Sequence, residues 1–139
     1  MAVALVIDSG PLFALVDADD GDRPACRELL ETHRGPLVIP TLVIAEVAYL
    51  IGKRLGARAE TRFLGDLASG SFVVEPVAVT DWLRIAELVW QYRDLGLGTV
   101  DASVVAAAER LGIVELATLD RRHFSVVRPK HAERFALLP

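Results

Sequence analysis

Four carboxylates stand within or directly after apolar stretches of this 139-residue chain. Asp8 and Asp120 each end an apolar run, Glu46 interrupts another, and Asp101 lies in Gly-Thr-Val-Asp-Ala-Ser-Val-Val. Ionised side chains are costly in such surroundings unless a positive charge compensates them, and no lysine or arginine lies in the runs around Asp8, Glu46 and Asp101. Clustered carboxylates are natural ligands for hard divalent cations such as Mg²⁺, so these acids are the candidate metal-binding and catalytic residues.

The pattern of apolar residues predicts that strands and helices alternate along the chain. Strands are predicted at about residues 2–7, 37–39, 72–74, 115–119 and 135–138, and a loop at 121–130. Helices are predicted at about residues 11–16, 24–33, 41–54, 57–68, 80–92 and 99–111. Such alternation predicts an α/β fold with a mostly parallel sheet, formed by residues 1–139 as one domain.

This arrangement predicts that the four acids meet at one edge of the sheet. Asp8 and Asp120 follow strands, and ligands of open α/β sheets bind at the carboxyl ends of strands. Asp101 lies in the first turn of a helix, and Glu46 has only largely apolar neighbours at helical spacing. Each acid alone has a structural alternative: a turn or cap for Asp8 and Asp120, a position favoured by the helix dipole for Asp101, or a salt bridge to a distant arginine for Glu46.

Hydroxyls and arginines accompany the acids. Ser9 follows Asp8 and Thr118 precedes Asp120 by two residues, so either hydroxyl could orient a carboxylate or hold a metal-bound water. Arg121 and Arg122 come directly after Asp120 and begin a basic C-terminal stretch. We expect one or both to contact phosphate groups of a substrate, and pairing with a nearby acid is the alternative.

The composition excludes several classes of protein. No Gly-x-x-x-x-Gly-Lys-[Ser/Thr] motif and no cysteine–histidine cluster is present, which argues against a P-loop NTPase and a zinc site. Cys26 is the single cysteine, so no internal disulfide can form. No apolar stretch reaches the roughly 20 residues that span a bilayer, and no signal peptide is evident. We therefore expect a soluble, cytoplasmic protein that does not bind membranes.

The motifs around the acids, taken together, resemble the PIN-domain ribonucleases, and specifically the VapC-type toxins of type II toxin–antitoxin pairs. The similarity covers essentially the whole chain and is fairly specific because four motifs occur in the right order. These motifs are Val-Ile-Asp-Ser-Gly at Asp8, Ile-Ala-Glu-Val at Glu46, Leu-Gly-Thr-Val-Asp-Ala at Asp101 and Leu-Ala-Thr-Leu-Asp-Arg-Arg-His-Phe at Asp120.

The resemblance implies a Rossmann-like α/β/α sandwich with a short parallel sheet. It implies an endoribonuclease that depends on Mg²⁺ or Mn²⁺, held by Asp8, Glu46, Asp101 and Asp120, and that hydrolyses tRNA or ribosomal RNA. It also implies a homodimer and a cognate antitoxin in the active-site groove. Asp-Thr-Ser is more usual in the family than the Asp-Ser-Gly at Asp8, so Ser9 keeps a hydroxyl and Gly10 lacks one.

Other functions stay open at this stage. A PIN-like module that binds RNA or protein without cleaving it is the main alternative, and the choice between one metal ion and two is open. Two predicted helices between Val47 and Leu67 carry more apolar side chains than a thin sheet can cover. We expect the surplus to form a dimer contact or an antitoxin groove, unless the two helices pack on each other.

Overall fold

The structure, a computed structural model, describes residues 2–139. Within that range the chain forms five short strands, seven α-helices and one 3-10 turn, Arg93–Leu95. The strands are β1 (Leu5–Ile7), β2 (Leu37–Pro40), β3 (Val73–Glu75), β4 (Glu115–Ala117) and β5 (Ala136–Leu138). The helices are α1 (Ser9–Val16), α2 (Arg23–Thr32), α3 (Thr41–Leu55), α4 (Ala57–Ala68), α5 (Val79–Gln91), α6 (Thr99–Leu111) and α7 (Arg121–Phe124).

All five strands belong to one parallel sheet in the order β3-β2-β1-β4-β5. β1 lies in the middle and its three residues are fully buried, as an apolar strand without alternation predicts. The helices surround this sheet, which confirms the predicted α/β/α sandwich with a parallel centre. The strand predicted at the C-terminus is present as β5, at one edge.

The strand order shows where the sheet has a topological switch point. After β1 the chain adds β2 and β3 on one side, and it later returns to add β4 and β5 on the other. The gap between β1 and β4 is therefore a topological switch point, where ligands bind in open α/β sheets. Leu5 pairs with Glu115 and Ile7 with Ala117, so the residues that follow β1 and β4 leave the sheet at the same edge.

Helix α6 is the most deeply buried helix, and it presents its first turn to that edge. Residues 102–108 are all buried, and small side chains allow α6 to pack closely against α5 and the sheet. Helices α3 and α4 pack on each other, as the hairpin alternative predicts. Tyr49, Leu55 and Leu64 nevertheless remain exposed, so part of the apolar surplus is not covered.

Two sequence-based expectations are wrong. Residues 121–124 form the short helix α7 rather than a loop, because Asp120 caps its first turn. The spacing of Trp82, Ile85 and Val89 predicts a stripe of helix core, but the stripe is only partly core: Ile85 is 4% exposed and Trp82 is 50% exposed. No helix of residues 2–139 is long and apolar enough to cross a membrane.

Candidate active site

Asp8 and Thr118 connect the ends of β1 and β4. The backbone N–H of Asp8 donates to the carbonyl of Ala117 at 2.9 Å, which continues the strand pairing by one residue. The Thr118 hydroxyl then donates to Oδ2 of Asp8 at 2.9 Å and accepts the backbone N–H of Asp120 at 2.9 Å. Both Asp8 and Thr118 are buried, so one hydroxyl fixes the position of the first acid and of the loop that carries the fourth.

The other oxygen of Asp8 has no partner. Oδ1 is buried and accepts no hydrogen bond from residues 2–139. The pKa of Asp8 is raised from 3.8 to about 6, mainly by burial and also by the negative charges of Asp101 and Glu46. The Thr118 hydroxyl and the nearby Ser9 N–H act in the opposite direction. The Ser9 N–H lies close enough to favour the charged form, although its geometry falls short of a hydrogen bond.

Asp101 reaches the same edge from the first turn of α6. Its Oδ2 lies 3.5 Å from the backbone N–H of Gly98, a weak version of a helix-capping bond. Partial burial raises the pKa of Asp101, and the charge of Asp120 adds to this effect. The Gly98 N–H and the charge of His123 counteract it. Asp101 is thus a half-buried carboxylate that faces two other titratable groups.

Asp120 is held by His123, a residue that the sequence alone did not single out. Oδ1 of Asp120 accepts the backbone N–H of His123 at 3.0 Å, and Oδ2 accepts a bond from Nδ1 of the His123 ring. Nε2 of the ring lies 3.0 Å from the carbonyl of Leu95, just before α6. The bond to Asp120 raises the pKa of His123, with smaller contributions in the same direction from Leu95 and Asp101.

Glu46 approaches the cluster from α3. It is half-buried on a helix whose residues Val43 and Val47 are fully buried, and no ion pair of the described residues includes it. The salt bridge to a distant arginine that could have explained Glu46 is therefore not formed within residues 2–139. Its charge lies close enough to Asp8 to raise the pKa of that carboxyl. The structure thus brings all four predicted acids to one edge of the sheet.

The donor set fits a hard divalent cation. Asp101, Asp120 and His123 each offer one atom, and these atoms lie within 4.8 Å of one another. Oδ1 of Asp8 is a buried acceptor without a donor, and Glu46 is free of ion pairs within residues 2–139. Mg²⁺ and Mn²⁺ prefer oxygen ligands and neutralise the repulsion among carboxylates, so the residues present fit such an ion.

The remaining predicted residues take different positions. Ser9 begins α1 and is buried beside Asp8. Arg121 donates to the carbonyl of Pro139 at 2.6 Å, whereas Arg122 is exposed and takes part in no ion pair of residues 2–139. Within residues 2–139 neither arginine forms an ion pair, so pairing with Asp101, Asp120 or an acidic loop is not observed there.

The position of Leu119 explains why residue 10 is glycine, where the family more often has serine. A Cβ atom at this position would lie 3.2 Å from the Cβ of Leu119, which is tighter than an ordinary contact. Leu119 lies between Thr118 and Asp120, so a serine at position 10 would press against the segment that holds the site. Glycine at this position therefore suits the leucine opposite it, and the two residues are matched.

Two of the grooves outside the acidic cluster have volumes of about 440 Å³ or more. One, of about 440 Å³, is formed by α1, the start of α2 and α4 with the end of α3; it is lined by Leu15, Val16, Arg23, Leu55, Arg58, Ala59, Arg62, Phe63 and Asp66. The other, of about 550 Å³, runs along α5 to the first residue of α6; it is lined by Trp82, Ile85, Ala86, Val89, Trp90, Arg93 and Thr99. We call them the α1–α4 groove and the α5 groove.

Comparison with known proteins matches the chain to one protein family. The model of the PIN domain family matches residues 5–129. Ribonuclease VapC26 of Mycobacterium tuberculosis is 35% identical over 135 residues, which cover 97% of this chain and 100% of that protein. The solved structure of VapC20 from the same organism, described as a sarcin-ricin loop cleaving toxin, has a TM-score of 0.76 at 21% identity, over 81% of this chain and 86% of that one.

A further solved structure is similar over nearly the full length. A toxin-antitoxin complex from Klebsiella pneumoniae contains a chain with a TM-score of 0.69 at 20% identity, and the match covers 95% of this chain and 99% of that one. At such identities these two structural matches establish the fold. The matches to the mycobacterial ribonuclease and to the family model show that the similarity also holds for the amino-acid sequence.

Proposed function

The chain belongs to the PIN domain family, and on that premise we propose that it is a divalent-metal-dependent endoribonuclease, the toxin of a toxin–antitoxin pair. The observation that carries the proposal is the convergence of Asp8, Glu46, Asp101 and Asp120 at the switch point of the sheet. The unpartnered, buried Oδ1 of Asp8 strengthens it, because a carboxylate there needs a cation.

The four acids have separate tasks in this proposal. Asp8 and Asp101 would bind the ion directly, and Glu46 and Asp120 would complete the site directly or through water, since Mg²⁺ retains much of its hydration. When bound, Mg²⁺ or Mn²⁺ activates water and stabilises negative charge on the phosphate. The water oxygen forms a bond to phosphorus while the bond to the 3′ oxygen breaks. The water loses a proton, the 3′ oxygen gains one, and the products are a 5′-phosphate and a 3′-hydroxyl.

Buried, mutually repelling carboxylates argue against the alternative of a module that only binds. Such a module has no need for a group like Asp8, whose pKa is raised to about 6 by its surroundings. Carboxyl groups whose pKa is raised by burial and by neighbouring charges are typical of functional sites. The substrate that we propose is structured RNA, tRNA or ribosomal RNA, cleaved in the cytoplasm at an unpaired segment that can enter the cleft.

The α1–α4 groove suits the antitoxin partner. Its walls combine apolar Leu15, Val16 and Phe63 with Arg23, Arg58 and Arg62, and Asp66 is the one acid among the lining residues. An amphipathic antitoxin helix with acidic side chains complements that surface. Replacement of Arg58 and Arg62 by Glu should weaken the complex at least tenfold in a titration of purified toxin with antitoxin. Unchanged affinity would show that the antitoxin does not bind in this groove.

A homodimer is the proposed assembly, formed through the α5 face. Val79, Trp82, Leu83 and Trp90 are 89%, 50%, 69% and 68% exposed, and Arg93 stacks on Trp90 at 4.0 Å. Tryptophan and arginine are frequent hot spots of interfaces, and exposed apolar patches mark interaction sites. Arg93 is the single cation among the residues named on this face. A second copy of the same face is therefore a better partner for it than the phosphates of RNA.

Sedimentation of purified protein tests the dimer. Wild type should be dimeric at micromolar concentration, and Leu83→Glu should shift it to monomer. Leu64→Glu on α4, which also places a charge at an exposed leucine, serves as the control and should remain dimeric. A monomeric wild type would contradict the assembly, and dissociation by the control alone would move the interface to α4.

The central experiment is RNA cleavage by purified protein in Mg²⁺ and in EDTA. Wild type should cleave a structured RNA only with the metal, and Asp101→Asn should lower the rate at least 100-fold. Asp19→Asn makes the same change in the exposed acidic loop and should keep full activity. Equal cleavage in EDTA, or full activity of Asp101→Asn, would overturn the proposal.

A further inference from the structure

His123 joins three parts of the chain that contribute to the acidic site. Its backbone N–H and its ring Nδ1 bind the two oxygens of Asp120, and its Nε2 meets the carbonyl of Leu95. Nδ1 also lies 4.0 Å from Oδ2 of Asp101. Leu95 ends the 3-10 turn before α6, whose first turn carries Asp101. The ring therefore ties the loop that carries Asp120 to the segment that leads to Asp101.

Both ring nitrogens already have hydrogen-bond partners. A carbonyl oxygen can only accept, so Nε2 carries the hydrogen of the bond to Leu95. Nδ1 is hydrogen-bonded to Oδ2 of Asp120, so that carboxylate already occupies it. For a metal to bind Nδ1, the ring would have to give up Asp120. Mg²⁺ and Mn²⁺ favour oxygen over imidazole nitrogen, so replacement of Asp120 by a metal ion at Nδ1 is unfavourable.

We propose that His123 is a positioning residue of the proposed nuclease: it fixes Asp120 for the metal through Nδ1 and is not itself a ligand. Each carboxylate oxygen can accept more than one bond, so both oxygens of Asp120 keep capacity for a metal or its waters while His123 holds them. This inference rests on the proposed function, and it adds a residue to which no role has been given. Residues that orient metal ligands typically contribute 10–100-fold to metal affinity or activity.

Three substitutions test the roles of the two ring nitrogens separately. His123→Asn places an amide donor near the position of Nδ1, His123→Gln places one near Nε2, and His123→Ala removes both. His131 is the matched control, because its Nε2 meets the carbonyl of Ile113 at 2.7 Å and it is not part of the acidic cluster. Thermal unfolding and circular dichroism identify variants that are folded, and affinities are compared among those.

The first readout is Mn²⁺ affinity without RNA, from electron paramagnetic resonance titration. We expect His123→Ala to weaken binding about 10–100-fold and His123→Asn to restore most of the affinity, whereas His123→Gln should not. His131→Ala should bind Mn²⁺ like wild type. Combining His123→Ala with Asp120→Asn should cost little more than Asp120→Asn alone, because both changes disturb one ligand.

The outcomes distinguish the inference from the proposed function. A wild type that neither binds Mn²⁺ nor cleaves RNA would overturn both. Wild-type binding with unchanged affinity in folded His123→Ala would overturn the positioning role alone, as would restoration by His123→Gln and not by His123→Asn. Electron spin echo envelope modulation supplies the second readout: a coordinated imidazole nitrogen on bound Mn²⁺ would show that His123 is a ligand and would overturn the proposal.

Discussion

The Thr118 hydroxyl donates to Oδ2 of Asp8 at 2.9 Å, although the two residues are 110 positions apart in the chain. The same hydroxyl oxygen accepts the backbone N–H of Asp120. This contact forms where β1 and β4 end side by side, at the switch point of the sheet. A single hydroxyl thereby orients the first acid, leaves Oδ1 of Asp8 free for a cation, and fixes the loop that carries Asp120.

Replacement of Thr118 by Val tests that contact. Valine has nearly the same shape but can neither donate to Asp8 nor accept from Asp120, so two buried polar groups lose a partner. We expect the free energy of unfolding to fall by about 1–3 kcal/mol and RNA cleavage to fall at least tenfold. Thr118→Ser keeps the hydroxyl and should retain most of both. Urea unfolding curves of Thr118→Val that match wild type would show that the hydroxyl bond contributes nothing.

The stability of the metal-free protein should fall as the pH rises from 5 to 7.5. The pKa of Asp8 is about 6 in the folded protein against an ordinary value of 3.8, so the folded state holds more protons than the unfolded chain between these values. The pKa of His123 is also raised, which gives the same sign because its charged form is favoured by folding. Thermal unfolding in EDTA should give a higher Tm at pH 5. A higher Tm at pH 7.5 would contradict this sign.

Mg²⁺ should reverse that trend at pH 7.5. A bound cation compensates Asp8, Glu46 and Asp101 and stabilises the folded state in proportion to its occupancy. The Tm should therefore rise with Mg²⁺ concentration in wild type and not in Asp101→Asn. Na⁺ at equal ionic strength separates specific binding from screening. An equal rise in both salts would indicate screening alone.

Asp8→Asn should stabilise the metal-free protein while it abolishes cleavage. Asparagine avoids the cost of an ionised carboxylate at a site that is 5% exposed. A pKa difference of about two units corresponds to about 3 kcal/mol at most, and we expect part of this in urea unfolding at pH 7.5. The pH dependence of the Tm should flatten in the same variant. A variant less stable than wild type in EDTA would mean that the carboxylate contributes to the fold.

Arg122 should contact RNA phosphates, and Arg121 provides the matched control. Arg122 is exposed and free of ion pairs within residues 2–139, whereas Arg121 binds the carbonyl of Pro139. Arg122→Ala should weaken RNA binding and reduce the slope of log affinity against log salt by about one unit, with a smaller effect for Arg121→Ala. Binding measured with cleavage-inactive Asp101→Asn protein avoids loss of the RNA. Equal slopes in the double variant and the parent would show that neither arginine contacts phosphate.

The sequence predicted the parallel sheet and the edge where the acids meet, because both follow from local patterns. A short apolar strand that ends in an acid places that acid at the carboxyl end of a strand, as for Asp8. Glu46 stood out because its helical neighbours are apolar. The bond between Thr118 and Asp8 could only be suggested, since its partner depends on which strands become neighbours.

What the sequence missed depends on distant contacts. Helix α7 is four residues long, too short for a periodic signal, and its cap at Asp120 is part of the site itself. The bond from His123 to Leu95 spans 28 residues, although the spacing of Asp120 and His123 by three positions was a local hint. Periodicity located the apolar residues of α5, but it could not tell that α6 covers Ile85 and leaves Trp82 exposed.

Anomalous diffraction from crystals soaked in Mn²⁺ tests the central claim most directly. We predict an anomalous peak within coordination distance of Oδ1 of Asp8 and of the Asp101 carboxylate in wild type, and its loss in Asp101→Asn. The dissolved wild-type crystals should cleave RNA in Mn²⁺. Absence of a peak at the acidic cluster, in crystals whose protein does cleave RNA with Mn²⁺, would contradict the assignment of these four acids as the metal site.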